Sequence, residues 1–187
     1  VGVAEYMPAV AGMLMARELE MLGACLETPE HPVVAVIGGA KVSDKIAVLT
    51  HLANKVDTVL VGGGMVAAFL AAAGHMEADP ASYGEIEVAR SLLKDSSARI
   101  VIPPDVITAM EFSEDTEPIT VNVSAISEGA LVLDIGPESA VAYAEELSGA
   151  KTIIWNGPMG VFEWSAFAVG TTAVAQAIAA NNDCVSV

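Results

Sequence analysis

The octapeptide GGAKVSDK, Gly38 to Lys45, follows the apolar run VVAVI. Gly38 and Gly39 carry no Cβ, so a flat ring or a phosphate can approach the main chain there. Lys41 sits in the turn and Lys45 four residues later, so at a helix start both ammonium groups reach one place. A helix N-terminus adds free N–H groups and a favourable dipole, and Ser43 or a neighbour is placed to cap it. Two cations beside open backbone suit a polyphosphate. The plainer alternative is a pair of solvated lysines, with Lys45 paired to Asp44. The spacing is not G-x-x-x-x-G-K-[ST], and no G-x-G-x-x-G is present, so neither a P-loop nor a dinucleotide fingerprint is supported.

Three other turns share the placement of this one. GGGM (Gly62–Met65), PPDV (Pro103–Val106) and WNGPMGVFE (Trp155–Glu163) each follow a short β-branched or apolar run. In an open parallel sheet, ligands bind beyond the carboxyl ends of strands, which is where these turns fall. Any one of them alone reads as a tight strand-to-helix turn; together they read as a site. Asn156 offers an amide to phosphate or ribose. Gly157, Pro158 and Gly160 form a stiff, open backbone suited to one face of a base. Glu163 has two oxygens for ribose hydroxyls, or is merely a charge near a helix N-terminus. Trp155, Phe162 and Trp164 read as core or rim packing.

The remaining polar residues offer less. His31, His51 and His75 are scattered without an evident carboxylate partner. Asp105 is placed to cap the following helix, and the acids from Glu111 to Glu117 read as a solvated loop. No metal-ligand spacing and no G-x-S-x-G elbow occur. The net charge of -16 argues against nucleic acid and anionic lipid as partners. Cys25 and Cys184 lie in apolar stretches, which predicts two buried thiols in a reducing, cytoplasmic compartment. No apolar run reaches the roughly 20 residues that cross a bilayer, and no secretory leader is evident.

The elements that must position these loops follow from periodicity. Apolar runs at Val33–Ile37, Thr58–Val61, Arg99–Ile102, Thr152–Trp155 and Cys184–Val187 read as strands. Helical spacing covers Ser43–Ala53, Met65–Ala73, Glu85–Leu93, Glu138–Leu147 and Ala166–Ala179. Such alternation, with strands apolar on both faces, predicts an α/β domain with a parallel sheet between helix layers. PITVNV, within the irregular acidic segment from Met110 to Gly129, is a candidate extra strand. The stretch MPAVAGMLMARELEMLGACLE reads as a helix with Pro8 in its first turn. Met7, Val10, Ala11, Leu14, Met15, Leu22 and Leu26 share one face of it, expected to pack into a core. With 53% hydrophobic residues over 187 positions, a sizeable core is within reach.

The stretches VGVAEYMPAVAGMLMARELEML, GGAKVSDKI, VDTVLVGGGM, LDIGPES and KTIIWNGPMGVFE together resemble phosphoglycerate kinase in its C-terminal, nucleotide-binding half. The resemblance implies a Rossmann-like three-layer α/β domain. Residues 1–26 would be an interdomain helix and 27–187 the nucleotide-binding domain, truncated at its C-terminal end. It implies reversible phosphoryl transfer between ATP and 3-phosphoglycerate with Mg2+, in a monomeric parent enzyme. By the same resemblance Gly38, Gly39, Gly62, Gly63 and Pro158 would line the adenine pocket. Lys45 would hold the inner phosphates and Lys41 the phosphoryl group in transfer. Asn156 would assist at the phosphates and Glu163 at the ribose. Val132 stands where the family has glycine, which predicts a bulkier wall beside the base. The family's GGGD turn, with the aspartate for Mg2+, would lie beyond Val187, and its substrate half would precede Val1. The chain alone is therefore expected to bind nucleotide without turnover, or to serve as a non-catalytic nucleotide-binding module. An uncovered sheet edge is expected to favour self-association.

Overall fold

The computed structural model describes residues 2–39, 45–77 and 82–187. In chain order the elements are α1 (Met13–Glu27), β1 (Val33–Ile37), α2 (Ile46–Ala53), β2 (Thr58–Val61), α3 (Val66–Ala73), α4 (Tyr83–Asp95), β3 (Arg99–Val101), β4 (Asp105–Ala109), β5 (Ile119–Asn122), β6 (Leu131–Ile135), α5 (Pro137–Ser148), β7 (Thr152–Asn156), α6 (Val169–Ala180) and β8 (Val185–Ser186).

Five strands form a sheet in the order β3-β2-β1-β7-β8, and every neighbouring pair in it is parallel. β1 is buried along its whole length because helices cover both faces. Val33, Ala35 and Ile37 face a core with Leu49 of α2, Phe69 of α3 and Ile86 of α4. Val34 and Val36 turn to the other side, against Tyr143 and Leu147 of α5 and Val174 of α6. The period of two along the strand thus sorts alternate residues into two cores. Burying a single side chain such as Ile37 contributes about 1.5–3 kcal/mol.

The chain runs from β1 outward through β2 to β3, then returns to β7 on the other side of β1. That reversal places the switch point between β1 and β7. The loops leaving β1, β2 and β7 therefore emerge side by side at one end of the sheet.

The expected parallel α/β architecture is present, with three departures. First, β4, β5 and β6 form a separate antiparallel sheet in the order β5-β4-β6. PITVNV supplies β5, but β4 and β6 were not read as strands; β4 opens on a carboxylate and β6 is interrupted by one. PPDV accordingly leads into β4 rather than into a helix. Asp105 opens β4 and accepts the N–H groups of Glu138 and Ser139, so the helix it caps is α5, two strands later.

Second, α1 begins at Met13, not at Pro8. Ala16 N–H donates to Gly12 O, so Gly12 occupies the capping position, where the absence of a Cβ favours non-helical backbone. Third, the methionine-rich stripe is not core. Met7, Val10, Leu14, Met15 and Leu22 are exposed, and only the end of the helix is held, through buried Cys25 and partly buried Leu26. Among the described residues, Val187 borders a shallow hollow beside Leu14 and Leu22, and both side chains stay exposed. Cys184 is half-buried rather than buried, and both thiols are free.

Candidate functional site

A cleft of about 720 Å³ opens at the carboxyl end of the parallel sheet. Gly39, Gly63, Pro158, Val132 and Glu163 all line it, together with Gly64, Ala67, Met76, Phe112, Leu133 and Gly160. Residues from the loops after β1, β2 and β7 thus meet β6 around one space.

The first wall is held by main chain. Gly38 N–H donates to Asn156 O at 3.0 Å, Gly62 N–H to Ile37 O at 2.9 Å, and Gly63 N–H to Met159 O at 2.7 Å. The loops are too close for side chains. A Cβ on Gly38 would overlap the Pro158 carbonyl, and one on Gly62 the Met159 sulfur. Gly63 has φ +66°, and a Cβ there would stand 2.5 Å from Gly39 N. Glycine is required at that position twice over, by backbone conformation and by space. Gly38 and Gly62 do not line the cleft themselves; they bring Gly39 and Gly63 to it.

Lys45 stands at the N-terminal boundary of α2. Its Nζ donates to Gly38 O at 2.7 Å, to Asn156 O at 3.0 Å and to Asn156 Oδ1. The ammonium group therefore ties the β1 loop to the β7 loop, and Asn156 orients it. Partial burial pushes the Lys45 pKa below the ordinary lysine value, because leaving water disfavours the charged form. An anion arriving here would meet a cation that is already positioned. Lys41, Ser43 and Asp44 lie outside the described residues.

The opposite wall is made of side chains. β6 contributes Leu131, Val132 and Leu133, and the β4–β5 connection contributes Phe112. Phe112 packs on Trp164 with ring centroids 4.7 Å apart, and Trp164 in turn meets Phe167 edge-on at 6.1 Å. Trp164 is thus rim packing, as its sequence context suggests, but Phe112 belongs to the cleft and not to a purely solvated acidic loop. Val132, singled out through the family resemblance, was the only sequence signal for this wall. Glu163 lies exposed at the mouth. His31 does have a carboxylate partner: its Nδ1 lies 2.6 Å from Asp57 Oδ2, far from the cleft lining.

The sequence matches the family model described as phosphoglycerate kinase over residues 1–187. The chain belongs to the phosphoglycerate kinase family. It is 49% identical over 183 residues to phosphoglycerate kinase of Moorella thermoacetica, covering 96% of this chain and 47% of that protein. Identity to the Chloroflexus aurantiacus enzyme is 50% over 182 residues, covering 95% and 46%. Among solved structures, phosphoglycerate kinase from Coxiella burnetii superposes with a TM-score of 0.85 at 39% identity, over 99% of this chain and 49% of that one. The Pyrococcus horikoshii enzyme gives 0.83 at 30% identity, over 97% and 47%. The chain spans about half the length of the curated relatives it matches.

Proposed function

We propose that this chain supplies the nucleotide-binding half of a glycolytic, cytoplasmic phosphoglycerate kinase, which transfers a phosphoryl group reversibly between ATP and 3-phosphoglycerate. The observation that carries the reading is the meeting of Gly39, Gly63, Pro158, Val132 and Glu163 around one cleft, with the Lys45 ammonium held on the Gly38 carbonyl beside Gly39. The missing Cβ of Gly38 and Gly63 lets the three loops close on one another, and that brings the bare backbone of Gly39 and Gly63 to the cleft, where a base or a phosphate can approach it. The base would lie between the glycine wall and Val132 with Leu133, the ribose toward Glu163, and the phosphates toward Lys45 and Lys41.

In phosphoryl transfer the protein's contribution is positioning and cancellation of charge on the phosphate oxygens. Lys45 is suited to that work because its hydrogen bonds to Gly38 O and Asn156 fix the ammonium before ligand arrives. Lys41 would follow the group in transfer. Among the described residues no group of three His, Cys, Asp or Glu side chains is placed to hold a metal. No step is therefore assigned to a metal on this chain. Residues 1–26 serve in this reading as the connection to a second domain, which would bind 3-phosphoglycerate in a monomeric enzyme.

Isothermal calorimetry with ADP tests the proposal. ADP is expected to bind, with no ATP consumption by the chain alone. Lys45→Ala is expected to weaken ADP about 10- to 100-fold, since a charge-assisted hydrogen bond contributes roughly 1.5–3 kcal/mol, while adenosine is unaffected. Unchanged ADP affinity at low salt would remove Lys45 from the phosphate site. Binding without turnover even when a substrate domain is supplied in trans favours the second reading, a nucleotide-binding module without chemistry.

A further inference from the structure

Asp134 is 1% exposed, and its carboxylate lies behind the cleft rather than in it. It is the only charged residue of β6, and α6 carries none. Of the elements packed around it, β4 contributes only Asp105, which is turned to α5, and the loop from Gly157 to Ala168 only Glu163, which is exposed. No ion pair among the described residues involves Asp134. Its partners are main-chain donors: Ile135 N–H at 2.9 Å and Gly170 N–H at 2.8 Å.

Gly170 is the second residue of α6, so the carboxylate receives one of the unpaired donors of that helix start and complements its dipole. The fit is tight on two sides. A Cβ on Gly160 or on Gly170 would overlap the Asp134 carboxyl group. The next residue of α6, Thr171, accepts the Met159 N–H at its Oγ at 3.0 Å. Met159 O in turn accepts the N–H of Gly63. On the β6 side, Val161 N–H donates to Leu133 O at 2.9 Å. A continuous set of contacts therefore runs from Asp134 through the first turn of α6 to the loop after β7 and on to Gly63.

We propose that Asp134 is a positioning residue for the cleft: its buried carboxylate fixes the first turn of α6, and through Thr171 and Gly160 it sets the backbone that faces the nucleotide. The value of that position for nucleotide rests on the function proposed above; the mechanical link does not. Burial raises the Asp134 pKa to about 6, with the two N–H donors pulling it back only in part. The raised value means that the charged form is destabilising relative to the unfolded chain. Stability is thus highest at low pH and falls as pH rises from the ordinary aspartate range through 6. The carboxylate that grips α6 is kept at neutral pH against this cost, and acidification below 6 releases it.

The test is residue-resolved amide hydrogen exchange on the ligand-free chain, with ADP calorimetry alongside, from pH 5 to 8. In Asp134→Asn the amides of Gly170, Met159 and Gly63 are expected to exchange about tenfold faster at pH 8, after correction for intrinsic rates, while Val36 in β1 is unchanged. ADP affinity is expected to fall about five- to tenfold at pH 8, and the wild-type and variant affinities to converge at pH 5. Thr171→Val, which leaves Asp134 in place, is expected to accelerate Met159 and Gly63 alone, and it serves if Asp134→Asn does not fold. Unchanged exchange at Met159 and Gly63 in the folded variants overturns the proposal. Faster exchange there in a protein that binds no ADP preserves the link and discards the nucleotide reading. A ratio of wild-type to variant affinity that is constant with pH overturns the part played by the charge.

Discussion

One wall of the cleft is main chain and the other is side chain. The loops after β1, β2 and β7 approach one another so closely that Gly38 and Gly63 admit no Cβ, and N–H···O bonds lock them together. Across the cleft, β6 and the β4–β5 connection present Val132, Leu133 and Phe112. The first wall has least freedom to vary at Gly38 and Gly63, where a substitution collides with backbone. The second can change shape one side chain at a time. A base bound as proposed would be held against a fixed surface and selected by an adjustable one.

The sharpest way to break this contrast is to put the same substitution on both walls. Gly63→Ala forces a left-handed backbone on alanine and drives its Cβ to 2.5 Å from Gly39 N. It is expected to cost about 1–3 kcal/mol of stability from the backbone alone and to abolish measurable ADP binding. Gly129, which lines the cleft just before β6, shares the positive φ, +76°, but a Cβ there would meet nothing closer than Met110 Cε at 3.9 Å, so Gly129→Ala is the counterpart. It is expected to lose stability without losing ADP. Thermal unfolding and calorimetry on the two variants decide the matter; equal loss of binding would erase the distinction between the walls.

A smaller effect is expected from the adjustable wall. Val132→Gly removes a half-buried side chain from β6 and should cost about 1–2 kcal/mol, through lost apolar burial and added backbone entropy. Adenosine affinity should change only several-fold, with a bulkier N6-substituted analogue gaining relative to it. If the ratio of the two affinities does not move, Val132 does not face the base.

The smallest effect lies away from both walls. Asp57 accepts the Val33 N–H at 2.6 Å, and that bond, with His31 beside it, holds its carboxyl below the usual range. The stability this contributes is present above the ordinary aspartate pKa and is lost as pH falls through the lower folded value. The side chain is 46% exposed, so solvent screening limits the contribution to about 0.5 kcal/mol or less. Asp57→Asn should flatten the acid limb of the unfolding-midpoint profile while leaving ADP binding intact; a change in affinity would tie the amino end of β1 to the cleft.

The same division explains what could be read beforehand. The parallel strands were legible because burial on both faces demands unbroken apolar runs, as in VVAVI and TVLV. The glycine loops were legible because glycine is unfavourable in strands and helices and needs a reason to cluster. Of the antiparallel sheet only β5 was legible, as PITVNV. DVITA and LVLDI each carry a buried aspartate whose partners are amides in distant helices, so local pattern gives no sign that the charge is satisfied. Phe112 was hidden for a similar reason, since it stands among acids and finds Trp164 only in the folded chain.

From sequence alone came the alternation of elements, the glycines where backbone must approach something, and the lysines beside them. These are local properties, dictated by side-chain period and by conformational freedom. Tertiary structure decided that Lys45 meets Asn156, 111 residues away, because parallel pairing of β1 with β7 aligns their carboxyl ends. It also decided that the apolar face of α1 stays exposed among the described residues. Helical periodicity specifies that a face is apolar; only the neighbouring elements determine whether anything packs against it.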